Sequence, residues 1–100
     1  MLRMKLIKTD TGAEVKLIGR IDATNAENTQ AHLVEAANRF GDLILDLELL
    51  EYISSAGLRA LREAYLTMRR KNGRFLIKNV TKPGMEVFEI TGFAGMLTFI

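Results

Sequence analysis

The chain has 100 residues, 48% of them hydrophobic and 26% charged, the balance expected of one folded domain over residues 1–100 rather than of a disordered segment. Its 14 basic and 12 acidic residues leave a formal charge of only +2, spread along the chain, which argues against a nucleic-acid partner. Cysteine is absent, which excludes disulfides and thiolate chemistry, and no apolar run is long enough to span a bilayer, so a cytoplasmic protein without membrane insertion is expected.

Leu2, Met4 and Leu6 alternate with Arg3 and Lys5, which reads as a strand over residues 2–8 and not as a signal peptide. Ala13, Val15 and Leu17 repeat that period over residues 13–19, and Asp10-Thr11-Gly12 between the runs predicts a β-hairpin. From Thr24 or Asn25 to Phe40 the period becomes helical through Ala26, Leu33, Val34, Ala37 and Phe40. Thr24 and Asn25 are both suited to cap the start, and Gly41 to stop it.

Leu43-Ile44-Leu45-Asp46-Leu47 is nearly continuous in apolar residues and predicts a strand covered on both faces. After a short polar break, Leu58, Leu61, Tyr65 and Met68 mark the buried face of a second helix that runs to about Lys71 and ends at Asn72-Gly73. The cations Arg69, Arg70, Lys71 and Arg74 gather at its end, where they complement the helix dipole. Phe75-Leu76-Ile77 predicts another buried strand. Thr81-Lys82-Pro83 opens a third helix with Met85 and Phe88 facing the core, Gly92 closes it, and residues 97–100 form a short strand or apolar tail. The predicted class is α/β, a small mixed β-sheet packed by helices in the order β-β-α-β-α-β-α-β.

Chemistry-bearing patterns are few. The glycines are scattered, with no phosphate-binding or dinucleotide fingerprint, so no cofactor is expected. His32 falls in mid-helix and reads as a plain helical residue. Asp46, Glu48 and Glu51 cluster in sequence, but strand alternation followed by a loop does not aim them at one point, so neither an acid/base pair nor a metal site is expected.

Tyr52-Ile53-Ser54-Ser55-Ala56-Gly57-Leu58 joins the buried strand to the second helix. One reading is structural: a serine caps the helix, while Ala56 and Gly57 are small because backbones pack closely there. The other is functional: a phosphate esterified to a serine at a helix N-terminus would be held by free N–H groups and the dipole, changing the surface without unfolding the domain. Both readings stand on the residues alone.

Leu45-Asp46-Leu47 followed by Tyr52 to Leu61 resembles the signature of STAS domains of the anti-sigma factor antagonist type. Gly19-Arg20-Ile21-Asp22-Ala23 resembles that family's loop between second strand and first helix, and Phe88 to Phe93 its third-helix ending. The likeness covers almost the whole chain. The common form of the central motif is Asp-Ser-Ser-Gly-Leu; here Ser54 stands in the aspartate's place and Ala56 in that of the second serine.

The resemblance implies that Ser55 is the phosphoacceptor, with Asp22, Thr24, Ser54, Ala56, Gly57 and Leu58 forming the partner-binding and phosphate environment. Asp22 would equally serve as a cap for the first helix. The implied function is a non-enzymatic binding module. Unphosphorylated, it sequesters an anti-sigma factor that is also a serine kinase, and so frees a sigma factor; a Ser/Thr phosphatase restores it. The alternative is an accessory STAS subunit of a membrane lipid transporter or of a sensory assembly.

Overall fold

The structure, a computed structural model, describes residues 1–100. Strands β1 (Leu2–Lys8) and β2 (Ala13–Ile21) form the expected antiparallel hairpin, with Lys5 opposite Lys16 and Met4 opposite Leu17. Its turn is closed by Thr9 N donating to Gly12 O at 2.9 Å and Gly12 N donating to Thr9 Oγ1 at 3.1 Å.

Helix α1 (Ala26–Arg39) follows, then β3 (Asp42–Asp46), β4 (Leu50–Ile53), helix α2 (Ser55–Arg70), β5 (Arg74–Lys78), helix α3 (Lys82–Thr91), a 3₁₀ turn (Phe93–Gly95) and β6 (Thr98–Phe99). One mixed sheet holds all six strands. The strand order is β1-β2-β3-β5-β6, every pairing after the hairpin is parallel, and β4 joins β2 beyond the end of β3.

β4 departs from the predicted order, which had only a polar break there. Its burial runs half-buried, exposed, exposed, half-buried, so no alternation marks it. What makes it a strand is pairing with residues of β2 far away in sequence: Leu50 with Gly19, Tyr52 with Arg20 and Ile53 with Ile21. The same pairing extends β2 two residues past its predicted end. The register shifts between Gly19 and Arg20, where Gly19 takes a φ of +112° that a side chain would not tolerate, its Cβ falling 2.3 Å from Met1 O.

On one face of the sheet Ala13, Val15, Leu17, Leu43, Leu45, Phe75 and Ile77 are buried. They join Leu33, Ala36 and Ala37 of α1 and Leu58, Leu61, Ala64 and Met68 of α2 in one apolar cluster. Each large side chain removed from water there contributes about 1.5–3 kcal/mol before entropy is counted. The opposite face alternates into charge, with Lys16 3.7 Å from Asp46 and Lys78 2.9 Å from Glu14.

The helix ends match expectation in part. Thr81 caps α3 by accepting Gly84 N at 3.2 Å, Pro83 sits in its first turn, and Gly92 closes it in the left-handed region. Phe88 is buried as predicted, and Met85 half-buried. α2 begins at Ser55, directly after a serine cap as expected, whereas α1 ends at Phe40 in an extended conformation, before Gly41 is reached. Lys71 complements a different dipole from the one expected. Its Nζ donates to Ala37 O, Asn38 O and Phe40 O at 2.9, 3.1 and 3.0 Å, closing the C-terminus of α1 rather than its own helix.

Candidate functional site

β2 and β4 run parallel and end together. Ile21 lies opposite Ile53, and Ser54 N donates to Ile21 O at 2.8 Å, so the loop that starts at Asp22 and the helix that starts at Ser55 emerge side by side. This is the carboxyl end of a parallel strand pair, where α/β folds place their ligand-facing loops.

The two serines differ in what they touch. Ser54, in extended conformation (φ −83°, ψ 172°), is the cap of α2: its Oγ accepts Gly57 N at 3.1 Å and its carbonyl accepts Leu58 N at 2.9 Å. Ser55 is the first helical residue, is exposed, and its hydroxyl bonds to no other protein group.

Gly57 and Leu58 are buried, and Ala56 half-buried, so these three hold the turn against the core rather than presenting it. A Cβ on Gly57 would lie 2.7 Å from both Ile21 Cγ2 and Ile53 Cγ1, which is why α2 can start so near the strand ends only with glycine here. Small residues in the motif are thus explained by packing. The exposed hydroxyl is not.

Beside Ser55, the residues after β2 form a turn closed by side chains. Asp22 Oδ1 accepts from Thr24 Oγ1 at 2.5 Å and from Thr24 N at 3.0 Å. These bonds, the hydroxyl's first, hold the Asp22 carboxyl below the usual carboxylate range. Asn25 Oδ1 accepts Asp22 N at 3.0 Å, and Asn25 Nδ2 donates to Arg20 O at 2.9 Å. Asn25 occupies the cap position of α1, but its side chain serves this turn and makes no cap bond. The Asp22 side chain likewise bonds within the loop, while its carbonyl accepts Ala26 N, the first residue of α1, at 3.0 Å, so it is a turn-forming residue with Thr24 exposed beside it.

The other residues considered from sequence lie apart. His32 is exposed, its Nδ1 2.8 Å from Asn28 O. Asp46 turns inward: burial pushes its carboxyl up, but the Glu48 N–H, the Asn79 amide and the Lys16 and Lys78 ammoniums together hold it below the usual range. Glu48 and Glu51 are exposed and do not converge with it. Sequence reasoning missed the contact of Arg20 with Tyr52, whose ring centroid lies 4.5 Å from the guanidinium carbon at the edge of the site. The signal was there only in the β2–β4 register.

A model of the STAS domain matches residues 4–100. The chain belongs to the STAS domain family. BtrV of Bordetella bronchiseptica, described as a candidate anti-sigma factor antagonist, is 33% identical over 94 residues, covering 92% of this STAS chain and 80% of BtrV. Among solved structures, an anti-sigma factor antagonist from Mycobacterium paratuberculosis superposes with a TM-score of 0.86 at 20% identity, over 99% of this chain and 85% of that one. SpoIIAA in its unphosphorylated form gives 0.75 at 17% identity, over 100% of this chain and 87% of that one. In its phosphorylated form, from Bacillus, it gives 0.74 at 18%, over 100% and 91%. At these identities the superpositions establish the STAS fold. No helix is long and apolar enough to cross a membrane.

Proposed function

We propose that this STAS protein is an anti-sigma factor antagonist switched by phosphorylation of Ser55. The single observation that carries the reading is the exposed Ser55 hydroxyl, free of any protein partner at the first residue of α2, while its neighbour Ser54 does the capping. Unphosphorylated, the chain would bind an anti-sigma factor through the first turns of α2 and the turn at Asp22–Asn25. A sigma factor would be released, and the anti-sigma factor would then act as the serine kinase that ends the complex.

A phosphate adds about −1.5 to −2 charges at the positive end of a helix dipole. The first turn of α2 contains no acidic residue to oppose it. The folded domain therefore tolerates the modification, and the similar superposition on both forms of SpoIIAA supports a switch without refolding. Across an interface fitted to a neutral hydroxyl the same charge is unpaired, and a loss of about a hundredfold or more in affinity follows. A Ser/Thr phosphatase would reset the switch. Catalysis belongs to the partners, residues 1–100 act as one binding domain, and the cytoplasm is where they would meet.

The test is binding of Ser55→Ala and Ser55→Asp to an anti-sigma factor kinase of the native host. Ser55→Ala should bind and resist release by ATP, and Ser55→Asp should bind poorly. Equal binding by both, with ATP-driven release of Ser55→Ala, overturns the reading.

A further inference from the structure

A concavity of about 690 Å³, to whose lining Ser55 does not contribute, lies between residues 47–53 and the start of α3, where Val80, Pro83, Val87 and Phe88 form the other wall. Seven consecutive residues, 47 to 53, line it. Side chains of a strand point alternately to its two faces, so a groove lying on one face of a strand touches every second residue. The four of these that belong to β4, 50 to 53, line it consecutively, so the groove runs along that strand's edge, with Ile18 of β2 also reaching it.

That edge has no neighbouring strand. β4 pairs with β2 alone, while β5 follows β3 as far as Lys78 and then turns away at Asn79, whose φ is +59°. An unpaired edge presents backbone donors and acceptors to an incoming chain. The only charged residues lining the groove are Glu48 and Glu51, both exposed and neither in an ion pair, although the chain as a whole is positive. The nearby cations Lys16 and Lys78 are engaged with Asp46 and Glu14. Leu49 and Tyr52 add exposed apolar surface at 48% and 45% of their area.

We propose that this groove receives an extended segment of a partner protein, added as a strand beside β4. Apolar side chains at alternate positions of the segment seat against Val80, Pro83 and Val87, and Lys or Arg between them face Glu48 and Glu51. Carboxylate-rich segments are repelled by the same two glutamates. The groove ends at Ile53, one residue before the α2 cap, so the segment would lie next to Ser55 without covering it. The surface is defined by backbone pairing and does not depend on the phosphorylation switch.

The experiment titrates the ¹⁵N-labelled full chain with an acetylated, amidated hexapeptide of alternating Leu and Lys, followed by amide chemical shifts. Saturable shifts confined to residues 47–53 and 80–88 are expected. Binding should weaken by about tenfold in the Glu48→Gln/Glu51→Gln double variant, whose exposed substitutions leave the spectrum dispersed. It should vanish when Glu replaces Lys in the peptide. Of two peptides N-methylated on alternate residues, one should bind and the other fail, because only every second N–H of an added strand faces its partner. No saturable shift at millimolar peptide, shifts centred elsewhere, or equal binding by both methylated peptides overturns the proposal. Shifts at residues 47–53 on diluting the chain alone also overturn it, by making the occupant a second copy.

Discussion

Ser54 Oγ accepts the Gly57 N–H at 3.1 Å, so of two adjacent serines the first is held by the helix and the second is left free. Removing the first hydroxyl leaves a buried residue's N–H without its acceptor. Ser54→Ala should cost about 1 kcal/mol of folding stability, whereas Ser55→Ala should stay within about 0.5 kcal/mol of the parent. Urea denaturation of the two variants measures the difference, and equal midpoints would contradict this assignment of the cap.

Gly57 faces two branched side chains, Ile21 and Ile53, of which Ile21 is fully buried. Alanine is the better helix former by about 1 kcal/mol, yet overpacking costs about 1–3 kcal/mol. Gly57→Ala is therefore expected to lower stability despite its propensity, as a reduced urea midpoint will report. A gain in stability would mean that the strand ends yield to the helix.

Lys71 joins two helices whose ends are far apart in sequence, through three carbonyls of the last turn of α1. Lys71→Met keeps most of the stem and loses the ammonium, with an expected cost of about 1–2 kcal/mol. Arg70→Met, three residues before Gly73 and bonded only to Thr67, should cost less. Thermal unfolding of the pair at one pH separates the clamp from a general effect of charge.

Asp46 sets an acid dependence. Its folded-state carboxyl is held below the unfolded value, so the stability it contributes is present above the unfolded pKa, about 3.9, and is lost as pH falls through the folded one. Melting temperature should therefore start to drop below about pH 4 in the parent chain, where the unfolded-state carboxyl takes up a proton while the folded-state one is still ionised. Asp46→Asn should be less stable at neutral pH and show a shallower acid limb. Parallel profiles for the two proteins would remove Asp46 from this role.

How far the sequence carried depended on whether a feature was local. The hairpin, α1, β3, β5 and α3 with its Thr81 cap and Gly92 stop were legible because period and turn chemistry lie within a few residues. β4 was not, because Glu51 and Tyr52 are both exposed and only the distant partner β2 makes them a strand. For the same reason neither the open β4 edge nor the contact of Arg20 with Tyr52 could be seen. The motif pointed to this turn, but both serines are chemically able to cap. Only the bond from Ser54 N to Ile21 O, which fixes where the strand stops, decides between them.

β2 carries three partners, one adjacent in sequence and two reached across α1, and this implies an order of assembly. The hairpin with β1 closes a short loop, while the parallel pairings with β3 and then β4 close progressively longer ones at greater entropic cost. The turn that presents Ser55 hangs on the last of these, so it should be the late-maturing part of the molecule. In pulsed hydrogen exchange during refolding, the amides of β1 and β2 facing one another should gain protection before that of Ser54. A nascent chain whose hairpin is already formed would thus present no finished Ser55 turn until its sheet has closed, so that under the proposed switch a modifying enzyme would meet only mature copies.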